Sequence, residues 1–243
     1  MYIIKLNAID STNTYLKALS VKKMPKDYTV VVAEEQTNGR GQLGTKWQSE
    51  TSKNLTFSVF KEVRCLNVNE QFFISIAVAL GIVKALRELQ IPKIKIKWPN
   101  DILSENKKIV GILIENVIKN NRLEGSVIGV GLNVNQKFFD NLPNASSLHL
   151  LTGIVYSKDE VLHVLLKHIQ DYLNTLTSSN FKDLKSEYEA MLFRIKKPST
   201  FKSFNGETFS GFIEGINDDG KLKLLLEDDI RKEYDLKEVQ LLY

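Results

Sequence analysis

"QTNGRGQLGTKWQSE", from Gln36 to Glu50, carries three glycines spaced as G-x-G-x-x-G at positions 39–44. This spacing is typical of a dinucleotide-binding fold when a strand precedes it and a helix begins at its third glycine. A strand is predicted before it in "YTVVVAEEQ", and Glu62 lies where a ribose-binding carboxylate is expected. However, the segment that follows, "TKWQSETSKN", is polar and too short for a crossover helix. The context therefore argues against dinucleotide binding.

Two other phosphate-binding loops are excluded in the same way. A protein-kinase glycine loop requires H-R-D and D-F-G sequences, and the G-x-x-x-x-G-K-[ST] loop requires its lysine; none of these patterns occurs in the chain. What remains is a loop whose backbone can approach a ligand closely. In it, Arg40 could bind a carboxylate or phosphate and Trp47 could cover a ring. A plain surface loop with a solvated Arg40 and a buried Trp47 is the alternative.

The composition indicates an ordinary globular protein. The 243 residues are 43% hydrophobic and 26% charged, which suits one large domain or a large and a small one. The formal net charge of +4 does not require nucleic acid and leaves an anionic substrate open. Cys65 is the only cysteine, which excludes internal disulfides and cysteine-based zinc sites. We predict a soluble, cytoplasmic protein, since no signal peptide is evident and the longest apolar run, 74–83, is too short to span a bilayer.

Hydrophobic periodicity predicts the elements around the glycine loop. "DSTNTYLKALS" predicts a helix behind Ser, Thr and Asn as candidate caps, and "NLTFSVF" predicts a strand. "EQFFISIAVALGIVKALREL" predicts a long, largely buried helix capped by Asn69. The alternation in "KIKIKW" places Lys93, Lys95 and Lys97 on one face of a strand, which ends at the turn-forming "WPND".

Two further strands are predicted in "KIVGILIENVI" and "LEGSVIGVGLNVN". If Asn120 and Asn121 form a two-residue hairpin turn, Lys108 lies directly across from Asn133. A slip of one residue in the register would remove that pairing.

Two helices and a small all-β unit are predicted in the remainder. Ser157 and Glu160 form a capping box for a helix that reaches about Leu176, and a second helix is predicted over 182–192. The N-G and D-G pairs in "SFNGETFSGFIEGINDDGKLKLLLEDD" are hairpin signals between short alternating strands, which predict a small barrel. We therefore expect two domains, at 1–195 and 196–243.

Five motifs in this order, "DSTNTYL", "EEQTNGRGQLGTKWQSE", "KWPNDIL", "KKIVGILIE" and "GVGLNVN", resemble those of the biotin–protein ligases. The motifs cover residues 8–135. The resemblance implies an α+β fold, with a catalytic domain built on a mixed β-sheet with flanking helices, like that of class II synthetases, and a small C-terminal SH3-like β-barrel. Many bacterial members also carry an N-terminal DNA-binding domain. This chain begins a few residues before its first motif, so the resemblance implies a short form that does not bind DNA.

The resemblance implies an ATP-dependent, AMP-forming ligase. Such an enzyme joins biotin to ATP as biotinyl-5′-AMP and then transfers biotin to a lysine of the biotin carboxyl-carrier domain of a carboxylase. No enzyme nucleophile is needed, because positioning and neutralisation of negative charge supply the catalysis. Mg²⁺ is expected on the phosphates. No membrane partner is expected, and a homodimer is compatible with the sequence.

The resemblance also implies roles for particular residues. The catalytic residues would be Lys108, Arg40 and Asp101. Biotin would contact Ser11, Thr12, Asn13, Gln36, Arg40, Gly41, Gln42, Lys108 and Gly111. ATP and the adenylate would contact Arg40, Trp47, Asn100, Lys108, Gly131 and Asn133. Lys108 and Arg40 are expected to converge on the anion where the acid group of biotin meets the nucleotide.

Several of these residues have plain structural alternatives. Lys108 could be an exposed lysine at a strand end, and Asn100-Asp101 could serve only the turn. Gly111, Gly129 and Gly131 would leave room for the bicyclic ring of biotin, or else merely weaken the sheet.

The glycine loop departs from the family at one position. Gln42 stands where many members have a second arginine, which leaves one fewer cation for the phosphates. A lipoate ligase of related fold and a non-catalytic biotin-binding protein are the remaining alternatives. Competition by lipoate would indicate the first, and a failure to make AMP would indicate the second.

Overall fold

The computed structural model describes residues 1–22, 24–140 and 142–243 of the chain. Within these residues the chain forms twelve β-strands and five α-helices. The strands are β1 (Tyr2–Ile9), β2 (Thr29–Gln36), β3 (Leu55–Glu62), β4 (Ile94–Lys97), β5 (Asp101–Ser104), β6 (Lys107–Lys119), β7 (Arg122–Leu132), β8 (Pro198–Ser203), β9 (Thr208–Ile216), β10 (Leu222–Leu225), β11 (Arg231–Tyr234) and β12 (Val239–Leu242). The helices are α1 (Thr12–Lys22), α2 (Phe72–Glu88), α3 (Leu148–Thr152), α4 (Lys158–Asn174) and α5 (Phe181–Met191).

A seven-stranded sheet in the order β1-β2-β3-β7-β6-β5-β4 forms the centre of the larger part of the molecule. β1 and β2 are parallel and are joined by α1, whereas the other neighbouring strands are antiparallel. The glycine loop joins the antiparallel strands β2 and β3 directly. It therefore opens no crossover helix to a parallel strand, which a dinucleotide-binding fold would require.

One face of this sheet is buried under three helices. Phe57 and Val130 on that face pack in one core with α2, α4 and α5. The helical stretch Val68–Glu88 is long and apolar enough to cross a membrane by length and composition alone, but 61% of its most apolar window is buried inside the protein. Such burial is typical of the central helix of a globular core. The apolar run noted in the sequence is only the middle of this helix.

The opposite face of the sheet is covered only in part. Leu16 of α1 packs there against Val31, Phe60 and Val127, which form a second, smaller core. Among the described residues, no helix covers the neighbouring area over β3, β7 and β6. This open area is the floor of the groove described below.

The C-terminal strands form a separate five-stranded antiparallel sheet in the order β11-β10-β9-β8-β12. The rings of Phe201, Phe209 and Tyr234 stack in succession inside it. Gly206 and Gly220 adopt φ of 89° at the two predicted hairpin turns. The α+β class with a mixed sheet, flanking helices and a small C-terminal β-unit is confirmed. The division at residue 195 stays a prediction.

Most of the predicted elements are present, with one cap misplaced. Ser157 accepts a hydrogen bond from the backbone N of Glu160 at the start of α4, as predicted. Asn69 does not cap the long helix. Instead, Asn67 and Glu70 form a capping box around a short 3₁₀ turn, and α2 begins only at Phe72. β1, β5 and α3 were not predicted, because each is short or lacks a clear alternation in the sequence.

The predicted pairing of Lys108 with Asn133 is wrong by one residue. Asn120 and Asn121 do form a two-residue turn with positive φ, and Lys119 pairs with Arg122 as expected. A bulge then shifts the register, because Ile118 pairs with Leu123 but Val117 pairs with Gly125. As a result Asn133 donates its backbone N–H to Ile109 O (2.9 Å).

The approach of α2 to α4 gives a direct test of the core. A Cβ at Gly81 would lie 2.8 Å from both His168 O and Ile169 Cα, so there is no room for a side chain. We expect Gly81→Val to lower the free energy of unfolding by about 1–3 kcal/mol through overpacking, as measured by chemical denaturation. Lys84→Val places the same residue type on the exposed side of α2 and is the control. Equal losses in the two variants would contradict the close helix packing.

Candidate active site

The floor of the groove is a row of residues that runs across five strands. Gly111 of β6 pairs with Gly131 of β7, so the centre of the row carries no side chains. Thr56 continues the row on one side, and Asp101 followed by Lys97 continues it on the other. The sheet thus presents a trough with a hydroxyl at one end and a charged pair at the other.

The glycine loop folds into a compact hairpin. Arg40 and Lys46 form an isolated antiparallel bridge, and the backbone N–H of Trp47 donates to Gly39 O (3.0 Å). A 3₁₀ turn, Gln42–Gly44, forms its tip. Gln42 faces the groove, where many family members have the second arginine.

The indole of Trp47 lies on the glycine pair. A Cβ at Gly111 would be 2.8 Å from Trp47 Cζ3, and one at Gly131 would overlap the five-membered ring. A Cβ at Gly129 would overlap the side-chain amide of Asn13. The space that these glycines leave is therefore filled by the protein's own side chains, and not left open for a ring as the sequence suggested.

Polar residues at the start of α1 form one end of the groove. Ser11, Thr12 and Asn13 are each only 3% exposed. Gln36 Oε1 accepts from the backbone N–H of Thr12 (2.8 Å) and from its hydroxyl (3.1 Å). Ser58 Oγ, from β3, donates to Asn13 Oδ1 (2.6 Å). Ser11 Oγ accepts from Thr14 N (3.5 Å), so helix capping and a position in the groove coexist at this residue.

The Glu115 carboxylate accepts hydrogen bonds from three side chains at that end of the groove. Its Oε1 accepts from Arg40 Nη2 (3.0 Å) and Lys17 Nζ (3.1 Å), and its Oε2 accepts from Asn13 Nδ2 (3.1 Å). Arg40 also donates to Thr14 Oγ1 (3.3 Å). Burial alone would raise the pKa of Glu115, but the hydrogen bonds from Lys17, Asn13 and Arg40 outweigh burial and lower that pKa. The carboxylate is therefore charged and holds Arg40 in place.

Lys108 lies at the other end, beside Asp101. Its Nζ is 2.6 Å from Asp101 Oδ1, outside the directional geometry of a hydrogen bond, so the contact is an ion pair. The same Nζ lies 5.7 Å from the centroid of the Trp47 ring. Asn100 anchors the turn, because its Nδ2 donates to Ile112 O (2.8 Å) and its O accepts from Ile112 N (2.9 Å). These bonds favour the turn role for Asn100.

Two cavities meet at the Lys108 end. The larger, of about 590 Å³, is lined by all nine residues predicted for biotin: Ser11, Thr12, Asn13, Gln36, Arg40, Gly41, Gln42, Lys108 and Gly111. The second, of about 490 Å³, is lined by Asn133 and by Phe139, Leu142, Pro143, Asn144 and Ala145. Five residues line both cavities: Lys46, Trp47, Lys97, Asp101 and Lys108.

Arg40 and Lys108, which were predicted to converge on one anion, lie apart in the structure. Arg40 is paired with Glu115, whereas Lys108 is paired with Asp101, which lies across from Gly111. Gly111 and Glu115 are four positions apart on β6, a distance of about 13 Å along an extended strand. Convergence on one anion therefore requires Arg40 to leave Glu115.

Two buried polar atoms face the second cavity without a partner among the described residues. Asn133 Nδ2 donates to Ser146 O (2.9 Å), but Asn133 Oδ1 is unpaired. Trp47 Nε1 is unpaired as well. Buried polar atoms normally find hydrogen-bond partners, but both atoms are shielded from solvent, with Trp47 Nε1 against Gly131, so a ligand could reach them only if these side chains moved. Within the described part of the chain, no group of three His, Cys, Asp or Glu side chains could hold a metal ion.

Several residues of the site were not singled out from the sequence. Glu115 lies inside a quoted motif, yet its three partners are brought to it by the fold. Lys97 was placed only on a strand face, and the alternation of that strand was the available signal. Ser58 and Tyr243 had no sequence signal at all.

Comparison with known proteins assigns this chain to a family. The sequence model of the Biotin/lipoate A/B protein ligase family matches residues 6–133. The chain is 31% identical over 241 residues to the bifunctional ligase/repressor BirA of Bacillus subtilis (strain 168), covering 96% of this chain and 72% of that protein. It is 29% identical to the biotin–[acetyl-CoA-carboxylase] ligase of Mycobacterium tuberculosis, covering 88% and 79%. The solved structure of the biotin protein ligase from Aquifex aeolicus in complex with biotin and ATP superposes with a TM-score of 0.80 at 28% identity, covering 99% of this chain and 98% of that chain.

Alanine substitutions at the two paired glycines should displace the Trp47 indole to different degrees. A methyl group at Gly131 would overlap the indole, whereas one at Gly111 would lie 2.8 Å from its nearest atom. We expect Gly131→Ala to displace the indole into solvent more than Gly111→Ala does, with red-shifted emission and stronger acrylamide quenching. Trp47→Phe identifies which part of the signal comes from Trp47, since Trp98 also emits. Unchanged quenching in Gly131→Ala would place the indole elsewhere.

The ion pairs of Glu115 predict a pH-dependent contribution to stability. Because the folded protein lowers the pKa of Glu115 below its ordinary 4.5, the carboxylate stabilises the fold above that pH. The contribution is lost as the pH falls through the lowered value. We expect Glu115→Gln to be less stable than the wild type at neutral pH and to approach it in acid, measured as the difference in unfolding free energy. Glu105→Gln, at the exposed Lys93 pair, is the control and should show little difference at any pH.

Proposed function

Because the chain belongs to the biotin/lipoate A/B protein ligase family, we propose that its groove activates biotin with ATP and transfers it to a protein lysine. The product of the first step is biotinyl-5′-AMP, and the acceptor is the biotin carboxyl-carrier domain of a carboxylase. The family and the ligase class predicted from the five motifs are confirmed. The roles of individual residues below are proposals.

The observation that carries the proposal is the junction of the two cavities. The larger cavity is lined by polar groups of α1, β2 and the glycine loop, which suit the ureido end of biotin. The second is lined by Asn133 and Trp47, whose side chains carry hydrogen-bond donors and acceptors that suit a base. The two cavities share Lys108 and Asp101, so a carboxylate in one meets a phosphate from the other there. The related Aquifex aeolicus protein binds both biotin and ATP.

In the first step, a carboxylate oxygen of biotin attacks the α-phosphorus of ATP. The bond to the bridging oxygen breaks, and its electron pair leaves with pyrophosphate. Lys108 neutralises the negative charge that gathers on the carboxylate and the α-phosphate. Arg40 exchanges Glu115 for this anion when the glycine loop closes. Loop closure also keeps the anhydride from water.

In the second step, the lysine amine of the acceptor attacks the carbonyl carbon of the anhydride and AMP leaves with the electron pair. Asp101 orients the amine, and the proton that the amine loses as the amide forms is taken up by water. Asn100 supports Asp101 by holding the turn before β5. Trp47 and Gly131 shape the adenylate side of the junction.

Mg²⁺ fits this site as an ion that arrives with the nucleotide. Asp101 is the single acidic residue among the described residues that line the two cavities. Mg²⁺ commonly binds through one or two carboxylates and substrate phosphates, with several waters retained. When bound, it would neutralise phosphate charge, and the protein would contribute at most the Asp101 carboxylate.

We further propose that the protein acts in the cytoplasm and requires neither DNA nor a membrane. Its acceptor and ATP are intracellular, and the exposed Cys65 suits a reducing compartment. Recovery of the protein in a washed membrane fraction would oppose this location. A homodimer stays a prediction, to be decided by sedimentation with and without biotin and ATP.

The catalytic assignment predicts the effect of removing Lys108. We expect Lys108→Ala to reduce biotin-dependent ATP–pyrophosphate exchange by about 100-fold or more, since one charge-stabilising donor is worth that much in comparable sites. Lys107→Ala removes the neighbouring lysine, which donates to Pro143 O (2.5 Å) and lines neither cavity. Exchange in that control should match the wild type. Equal exchange in both variants would remove Lys108 from the site.

The substrate is tested in the same assay. Biotin should support exchange, and lipoate should neither replace it nor compete with it. Exchange supported by lipoate alone would instead favour a lipoate ligase, the other branch of this family.

A further inference from the structure

Lys97 stands at the junction of the cavities but has no role in the steps above. It is the cross-strand partner of Asp101 on β4, and its Nζ lies 3.8 Å from Asp101 Oδ2. Its side chain is 21% exposed. It lines both large cavities and a third of about 140 Å³ beside the C-terminal sheet. Such a position brings its ammonium group to the point where the cavities open into one another.

The charges at the junction do not balance. Lys97 and Lys108 flank the single carboxylate of Asp101, and Lys46 lines both cavities as well, so positive charge is in excess. Burial lowers the pKa of Lys97; Asp101 opposes this effect and Lys108 adds to it. A partly buried cation without a full counter-charge is costly, and a bound anion removes that cost.

Lys97 and Lys108 lie at different distances from the glycine pair. Gly131, Gly111, Asp101 and Lys97 follow one another across the sheet. Neighbouring strands are about 4.8 Å apart, so Lys97 lies about 10 Å from the glycine pair, at the β4 edge of the sheet. Lys108 is nearer the glycines and the biotin cavity. Because the β- and γ-phosphates of ATP lie farther from the biotin carboxylate than the α-phosphate does, the outer cation suits them.

We propose that Lys97 binds the pyrophosphate part of ATP and stabilises its departure, while Lys108 faces the α-phosphate. This assignment rests on the proposed function.

Tyr243 is the positioning residue for Lys97. The centroid of its ring lies 5.0 Å from Lys97 Nζ, within the range of a cation–π contact. The ring packs edge-on against Phe193 (5.2 Å) and lines the second cavity. Burial, with a smaller contribution from Asp101, raises the pKa of the Tyr243 hydroxyl, so the ring stays neutral. A flexible lysine is thereby held over the junction.

The experiment separates the two half-reactions. Lys97→Met should reduce ATP–pyrophosphate exchange by about 10- to 100-fold, the loss expected for one charge-assisted contact. It should also weaken the binding of pyrophosphate, measured by calorimetry, and leave AMP binding unchanged. Transfer from synthetic biotinyl-5′-AMP to a purified carrier domain should proceed at the wild-type rate, because no pyrophosphate is involved. Lys97→Arg, which keeps the charge, should restore exchange.

Two comparisons exclude a purely structural role. Lys93→Met makes the same charge change at a side chain that is 76% exposed and paired with Glu105, and it should behave as the wild type. Tyr243→Phe keeps the ring and should retain pyrophosphate affinity, whereas Tyr243→Leu should lose part of it. These Tyr243 variants test the proposal even if Lys97→Met does not fold.

The outcomes distinguish this inference from the proposed function. If the wild type shows no biotin-dependent exchange, the proposed function fails. If the wild type exchanges normally but Lys97→Met matches it, only the Lys97 assignment fails. Equal losses in exchange and in transfer from the synthetic adenylate would also overturn the assignment, since they would indicate a general disturbance of the site.

Discussion

The pairing of Gly111 with Gly131 at the centre of the sheet is the constraint on which the site depends. Side chains on adjacent strands would fill this face, but two glycines in register leave a trough whose floor is backbone alone. The indole of Trp47 lies in that trough, and it brings the glycine loop down over the groove. Because the loop hairpin is closed by its own backbone bonds, Trp47 and Arg40 are positioned together. The depth of the site is thus set by the absence of side chains at two positions.

Charge is arranged around this trough in two separate groups. Glu115 holds Arg40 and Lys17 at the α1 end, and Asp101 holds Lys108 with Lys97 nearby at the β4 edge. Each carboxylate keeps its cations oriented without neutralising all of their charge. An anionic ligand between the two groups can therefore compete for Arg40 and Lys108, at the expense of pairs that are partly exposed and individually weak. The affinity for such an anion would then reflect the exchange of Glu115 and Asp101 for the anion as partners of Arg40 and Lys108, more than the formation of additional charge contacts.

The rest of the fold keeps this face of the sheet in place. α2, α4 and α5 pack against the opposite face, and the contact at Gly81 allows α2 and α4 to pack closely. α1 covers only part of the groove face, with Leu16 in a small separate core, so its polar first turn lines the groove. The C-terminal sheet contributes Tyr243 and the edge of a smaller cavity. A rigid sheet with one uncovered area suits a reaction that depends on positioning.

The sequence by itself determined the family, the main helices and strands, the N-cap at Ser157 and the turn at Asn120-Asn121, because these depend on residues close together in the chain. The nine residues predicted for biotin also proved to line one cavity. The bulge that shifts Asn133 away from Lys108, the indole on the glycine pair and the hold of Glu115 on Arg40 were decided only by the tertiary structure. Glu115 and Arg40 are 75 residues apart, and Tyr243 lies still farther from Lys97 in the chain. Such contacts follow from how the strands are ordered and packed, which local periodicity does not encode.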